Sequence, residues 1–361
     1  MFNGGSEAET ALATRITQEV EARNITIGYG PLACGADLLI AEAILAVGGE
    51  LNVVLPFAED DFIAESVICG GGDWLPRYRA CRDQATSVHF ATSGAYVGDD
   101  NQFAYNSRLA IGLATLRGQK EGTDPIQIAV VSDKLRSFSA TGLAGTVADI
   151  GIWESLGGQT VAIPAGDVPR NLIFPKKQVV GEGTRREIRS IIFADYKGFS
   201  RLGERELPLF MHEVMGQIGA VLSRYGDHVE FRNTWGDALY AVTDEPRFAA
   251  DIALDMQAAL DDLPAQLTPS GDNAGMRIGV HYGPIWVGTD RITGNRLWYG
   301  GEVNKTARIE PVTPVGGVYC TAAFASALLV DNKSAHSFTW IGREQLAKNF
   351  GAIELYRLER S

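Results

Sequence analysis

Two different rhythms of hydrophobic and polar positions divide the chain. In the first half, short β-branched runs alternate with stretches of helical period. Ile25 to Tyr29, Leu51 to Leu55, Ser87 to Ala91 and Ile126 to Val131 predict strands, the second stopped by Pro56. Ala36 to Val47, Trp74 to Ala85 and Phe103 to Leu116 predict helices between them. Alternation of this kind predicts a parallel sheet covered on both faces. The stretch 174–186 carries Pro175, Gly181, Gly183 and the cations Lys176, Lys177, Arg185 and Arg186 without any period, so it reads as a linker. The expected domains are therefore 1–173 and 187–361.

The second half opens with a strand, Ser190 to Tyr196. Leu207, Phe210, Met211, Val214, Ile218, Val221 and Leu222 recur at helical spacing and predict one long amphipathic helix. Val229 to Arg232 and Ala238 to Val242 flank a short turn and predict a hairpin. Ala249 to Leu260 predicts a second helix. Met276 to His281 and Ile285 to Gly288 flank Gly283 and Pro284 and read as a second hairpin, followed by a short helix at 303–309. Strand, helix, hairpin, helix, hairpin, helix gives an α+β, ferredoxin-like sheet with helices on one face.

Length agrees with two domains, since 361 residues is about twice the usual domain of 100–200 residues. The charge balance, 32 − 44 = −12, argues against nucleic acid and anionic membrane surfaces as partners. Four cysteines, Cys34, Cys69, Cys81 and Cys320, are too few for a disulfide scaffold and point to a reducing compartment. The N-terminus has no signal-peptide character, and no apolar run approaches the roughly 20 residues of a membrane span. A cytoplasmic protein is the expectation.

Chemistry concentrates in the second half. Asp195 closes an apolar strand, and Asp237 sits in the turn of the first hairpin. Pairing of those strands would bring both carboxylates to one sheet edge, where their repulsion invites a divalent cation. Taken alone, Asp237 reads better as an ordinary turn residue. Asn304 and Arg308 lie four apart and share a helix face, as would suit a ribose and a phosphate. By themselves they read better as an exposed polar face.

The segments FADYKGFS (193–200), TWGDALYAV (234–242), RIGVHYGPIWVG (277–288) and GGEVNKTARIE (300–310) together resemble, in order and spacing, the four signatures of class III nucleotide cyclases. The resemblance covers about 187–358. It implies that Asp195 and Asp237 bind two Mg²⁺ or Mn²⁺ ions, with the Tyr196 carbonyl assisting. It implies that the backbone of Lys197, Gly198, Phe199 and Ser200 cradles the terminal phosphates. Asn304 matches the residue that orients the ribose, Arg308 the one that stabilises charge on the α-phosphate, and Lys348 a phosphate-binding lysine. The implied reaction joins the ribose 3′-oxygen to the α-phosphorus of a nucleoside triphosphate and expels pyrophosphate. The implied assembly is a head-to-tail homodimer in which each aspartate pair faces the partner's asparagine and arginine. Two other readings of this half are a noncatalytic, nucleotide-responsive dimer and, from Gly300-Gly301-Glu302, a cyclic-dinucleotide synthase. Intact metal aspartates and arginine weigh against the first, and the late position of the motif against the second.

Base selection departs from the family pattern. The positions that carry lysine and aspartate in adenylate cyclases, and glutamate and cysteine in guanylate cyclases, hold Asn233 and Leu297. Leucine neither donates nor accepts a hydrogen bond. ATP is expected first on family grounds, with GTP or a pyrimidine nucleotide as alternatives. Arg232, Trp235 and Tyr299 are near enough in sequence to shape the pocket, or else serve in packing and at the surface.

In the first half, Gly28, Gly30 and Gly35 bracket a strand-to-helix loop that could hold a ligand at a helix N-terminus, or simply connect two elements. The stretch 30–57 faintly resembles the Rossmann-type nucleotide-sensing domains of the LOG and DNA-processing-protein superfamily, without their sharper glycine signature. That resemblance implies a regulatory sensor for a small molecule; an interaction or dimerising module is the alternative.

Overall fold

The computed structural model describes residues 7–99, 101–131, 145–165, 185–260, 267, 275–331, 336–347 and 350–361. The chain divides into two units, Met1–Val180 and Gly181–Ser361.

The first unit begins with α1 (Glu7–Ala22), whose Leu12, Ile16 and Val20 recur every fourth residue and are fully buried. Burial of such side chains contributes about 1.5–3 kcal/mol each. Then come β1 (Ile27–Gly30), α2 (Ala36–Ala46), β2 (Glu50–Leu55), the short α3 (Glu59–Phe62), α4 (Trp74–Gln84) and β3 (Ser87–Phe90). A π turn (Ile63–Val67) and a 3₁₀ turn (Ile68–Gly70) connect α3 to α4. The unit continues with α5 (Asn101–Glu121), β4 (Ile126–Val131), α6 (Thr146–Ser155) and β5 (Gln159–Pro164). Strands β1, β2 and β3 form a parallel sheet in that order, and β4 and β5 form a parallel pair. Every strand expected in this half is present. Beyond the expected elements, this half contains α1, α3, α6 and β5.

The second unit starts with β6 (Arg185–Lys197), so Arg185 and Arg186 of the expected linker already belong to a strand. A continuous helical run follows: α7 (Leu207–Phe210), a π turn (Met211–Met215) and α8 (Gly216–Arg224). Next are the hairpin β7 (Val229–Trp235) and β8 (Ala238–Thr243), α9 (Pro246–Ala259), β9 (Gly275–Thr289), β10 (Arg296–Tyr299) and α10 (Gly301–Thr306). The unit ends with β11 (Val318–Thr321), α11 (Ala322–Asp331), β12 (His336–Leu346) and β13 (Gly351–Arg360). The sheet order is β12-β13-β11-β9-β6-β8-β7, with β10 attached to β9.

Two expectations are corrected here. Residues 276–288 are not a hairpin but the interior of the single long strand β9, paired with β6 from Gly275 to Val287. Pro284 is tolerated because it falls between the reach of β11, which ends at Val280, and that of β10, which begins at Trp286. A missing N–H therefore breaks no ladder bond on that side. Nor do all the helices lie on one face. Alternation along β6 sends Ile192, Ala194 and Tyr196 to one face, where Tyr196 packs edge-on against Phe210 at 5.1 Å. Ile191, Phe193 and Asp195 face the other side, where Val303 of α10 joins Ile191, Val242 and Trp298 in a second small core.

Candidate functional site

Asp195 lies near the end of β6, directly opposite Arg277 of β9. Asp237 occupies the β7–β8 turn next to Gly236, whose φ of 65° closes the tight reversal. Ala194 of β6 pairs with Leu239 of β8, which brings the turn level with the end of β6. The two carboxylates are close enough to interact. Burial first, and then the charge of Asp195, push the Asp237 carboxyl above its ordinary range. Two acids at one lip, with the charge of Asp195 raising the energy of the Asp237 carboxylate, are a place where a hard divalent cation fits.

Arg277 organises this lip. Its Nη2 lies 2.7 Å from Asp195 Oδ2 and 2.6 Å from Glu310 Oε1. Glu310 is pushed up to about 7 by burial; Arg277 opposes the shift while Asp195 and Asp237 add to it. One guanidinium thus serves an acidic cluster drawn from β6, the β7–β8 turn and the 3₁₀ turn Glu310–Val312. Among the described residues no group of three or more His, Cys, Asp or Glu side chains is arranged to hold a metal by itself. A Mg²⁺-type site uses one or two carboxylates and completes its shell with water and phosphate oxygens, which fits the Asp195–Asp237 pair.

The remaining residues read from sequence fall in several places. The Tyr196 side chain is buried and its hydroxyl donates to the Leu267 carbonyl at 2.9 Å, so only its backbone faces the lip. Lys197 ends β6, Gly198 adopts a φ of 114°, and Phe199–Arg201 form a 3₁₀ turn held by Arg201 N–H to Gly198 O at 2.9 Å. Phe199 packs against Phe210 at 4.9 Å, which anchors that turn. Asn304 is exposed on α10, and Arg308 follows its last turn. The Arg308 guanidinium donates back to the Asn304 carbonyl and lies 4.5 Å over the Phe350 ring. Among the described residues, neither Asn304 nor Arg308 hydrogen bonds or ion-pairs with Asp195 or Asp237. Asn233 sits exposed on β7 and accepts from the Thr234 N–H at 3.0 Å, while Leu297 lies on β10 opposite Gly288. Tyr240 Oη donates to the Trp298 carbonyl at 3.0 Å, tying β10 to the hairpin. Trp235 is 88% exposed and contributes little to packing. Lys348 lies outside the described residues.

A buried ionic network holds α10. His281 Nε2 and Glu302 Oε2 are 2.7 Å apart, His281 Nδ1 and Thr321 Oγ1 are 2.8 Å apart, and Lys305 Nζ donates to Glu302. Burial alone would raise the Glu302 carboxyl, but Lys305 and His281 hold it down at about 2. Burial lowers the His281 imidazole, against the pull of Glu302. Removing one member leaves a buried charge without its partner. Glu302→Gln is expected to lower stability by about 3 kcal/mol. For a domain of this size that is a fall in melting temperature on the order of 6–12 °C, readable by differential scanning fluorimetry. An unchanged melting temperature would remove the network from the account of how α10 is held.

Arg277, His281 and Glu310 were not singled out in the sequence, and Glu302 only within the Gly300-Gly301-Glu302 motif, although all four lie inside the quoted signature segments. Their signal was parity: Arg277, Gly279 and His281 alternate along one face of β9, so a cation and an imidazole face the same layer.

In the first unit, the three glycines do different jobs. A Cβ at Gly28 would stand 2.3 Å from Ile44 Cδ1, so a larger residue there would require the Ile44 side chain of α2 to shift. Gly30 borders open space, and Gly35 has a φ of 102° just before α2. Beside them, Asp37 in the first turn of α2 is pushed up to about 7 by burial and by the charge of Asp149. Gln102 is fully buried with neither amide atom hydrogen bonded among the described residues.

The family model of the adenylate and guanylate cyclase catalytic domain matches residues 183–359. These residues form a class III nucleotide cyclase catalytic domain. Among solved structures, the cyclase domain is similar to the guanylate cyclase domain of RhGC from Catenaria anguillulae, at 18% identity, 49% coverage of this chain, 98% of that one, and a TM-score of 0.41. It is also similar to the adenylyl cyclase CyaB from P. aeruginosa, at 17% identity, 49% and 96% coverage, and a TM-score of 0.42. An adenylate cyclase structure from Trypanosoma brucei matches at 21% identity, 47% and 87% coverage, and a TM-score of 0.42. No curated protein matches the chain. Among the described residues, no helix is long and apolar enough to cross a membrane.

Proposed function

We propose that the cyclase domain converts a nucleoside triphosphate, ATP before others, to a 3′,5′-cyclic nucleotide and pyrophosphate at sites shared across a homodimer. The observation that carries this reading is the division of labour on one chain. Asp195 and Asp237 meet at one lip. Asn304 and Arg308 are linked to each other and to Phe350, and to neither aspartate. A half-site of each kind per protomer makes two complete sites when two protomers pair by a two-fold axis.

In the proposed reaction, Asp195 and Asp237 would hold two Mg²⁺ or Mn²⁺ ions, with the Tyr196 carbonyl assisting. Those ions supply activation of the attacking oxygen and neutralisation of the leaving phosphates. Backbone N–H groups of Lys197 to Ser200 bind the terminal phosphates. Arg277 holds Asp195 in a fixed orientation by occupying one of its oxygens. The partner subunit's Asn304 orients the ribose, and the partner subunit's Arg308 places fixed positive charge where the α-phosphate gains negative charge. Lys348 is a further proposed phosphate ligand.

The base is read by the edge between β7 and β10, where Asn233 offers both a donor and an acceptor and Leu297 offers neither. Leu297 is the observation that keeps GTP and the pyrimidine triphosphates in play. Product identification decides: protein incubated with Mn²⁺ and equimolar ATP, GTP, CTP and UTP is expected to yield pyrophosphate and one dominant cyclic nucleotide by mass spectrometry. Absence of any cyclic product from a folded dimer would favour a noncatalytic, nucleotide-responsive module.

For the first unit we propose a Rossmann-like regulatory role, with a small molecule held near Gly30 and Gly35. Supporting it are the parallel strands, the open space at Gly30, and the unpaired polar groups of Gln102 nearby in sequence to Asn106, which donates to the β2 carbonyl of Val54 at 2.9 Å.

A further inference from the structure

Two cysteines of the first unit, one of them in the strand-to-helix loop between β1 and α2, are brought together across 35 residues of sequence. Cys34 lies between β1 and α2, and Cys69 lies in the 3₁₀ turn Ile68–Gly70. Their Sγ atoms are 3.8 Å apart. The main chain fixes this approach: the Cys34 N–H donates to the Ser66 carbonyl at 2.8 Å, so the two segments are already laced together. Gly70 preserves it, because a Cβ there would stand 2.8 Å from Cys34 Sγ. A disulfide needs about 2.05 Å between sulfurs. The sulfurs would have to close by roughly 1.7 Å.

We propose that Cys34 and Cys69 form a redox modification site, a dithiol that a hydroperoxide converts reversibly to an intramolecular disulfide. The roles are asymmetric. Cys69 is half-buried whereas Cys34 is almost fully buried, so Cys69 is the sulfur that a peroxide reaches and that attacks. Cys34 is only 6% exposed and is the resolving thiol. The Cys69 thiolate attacks one peroxide oxygen. The O–O bond breaks, and the departing hydroxide (or alkoxide) takes up a proton as water or alcohol, leaving a sulfenic acid on Cys69. Cys34 then attacks the Cys69 sulfur. Its proton leaves with the hydroxyl of the sulfenic acid as a second water, and the S–S bond closes. Two thiols are oxidised and one hydroperoxide is reduced. The other cysteines do not compete: Cys81 and Cys320 are buried, and burial pushes both thiols up, Cys81 to about 11.

The experiment uses the full chain treated with hydrogen peroxide, then iodoacetamide, then trypsin and a glutamate-specific protease without reductant. These cuts place Cys34 on the peptide 24–42 and Cys69 on 66–77. The expected result is a linked 24–42/66–77 pair, lighter by two hydrogens than the sum and separated again by dithiothreitol, with Cys81 and Cys320 still reduced. Cys34→Ser is expected to let Cys69 proceed to sulfinic acid, and Cys69→Ser to leave Cys34 reduced. A linked Cys69–Cys81 pair, oxidation of Cys69 beyond sulfenic acid while wild-type Cys34 stays reduced, or no loss of thiols at all would overturn the proposal. Mapping of the unaltered protein decides the matter even if a variant folds poorly.

Discussion

Asp195→Ala and Arg308→Ala, each alone, are expected to reduce cyclic nucleotide formation by at least about 10²–10³, the usual cost of removing one fixed charge that stabilises a phosphoryl transition state. Mixed in equal amounts, the two dead proteins are expected to regain activity. Random reassortment makes half the dimers mixed, and each mixed dimer has one intact site of two, so recovery approaches about a quarter of wild type by that symmetry. The readout is product formation before and after subunit exchange, with exchange confirmed by a mass-tagged protomer. A mixture that exchanges subunits yet stays inactive would place all four residues in one protomer's site and refute the shared-site reading. The expectation rests on the separation seen within one chain, where Arg308 bonds to its own helix and stacks on Phe350 rather than reaching Asp195.

The second large effect is expected at Arg277. Its guanidinium is the counter-charge to both Asp195 and Glu310, and both contacts are largely sheltered from water. Arg277→Ala leaves Asp195, Asp237 and Glu310 facing one another. Breaking a sheltered ion pair from one side costs about 3–5 kcal/mol, chiefly because the abandoned charge has nowhere to go. A divalent cation can replace part of that charge. The variant is therefore expected to melt well below wild type in chelator and to recover more than wild type does when Mn²⁺ is added. Arg277→Lys is expected to fall between, since an ammonium carries the charge but lacks the planar fork that reaches two acids. A loss of stability equal in chelator and in Mn²⁺ would mean that Arg277 acts only as packing.

Much of this site was legible because its chemistry is local. The hairpin turn at Gly236-Asp237, the strand ending at Asp195 and the spacing of Asn304 and Arg308 are all set by neighbours within a few residues. What was not legible is pairing between distant strands. That Arg277 stands opposite Asp195 follows from the register of β6 on β9, across 82 residues of sequence. The same register dissolved the expected hairpin at Gly283-Pro284, because a proline interrupts a strand only where it removes a needed donor. The buried pair of His281 and Glu302 was hidden for a related reason: each reads as a polar residue until β9 and α10 are stacked. In the first unit, α1 carries a weak apolar stripe of Leu12, Ile16 and Val20 among charges, which is easily passed over. Gly28, read from sequence as part of a ligand loop, stands beside the Ile44 side chain, a contact between β1 and α2 that the sequence does not show.

The bridge from Asp195 through Arg277 to Glu310 has a mechanical meaning. Glu310 follows Arg308 by two residues, so the stretch of chain that would serve one active centre is clipped to the carboxylate that would serve the other. In the proposed head-to-tail pair, a shift at one centre on loading would act on the clip, and the twin centre would receive that displacement. The two centres would then work as a rocking couple rather than as independent halves.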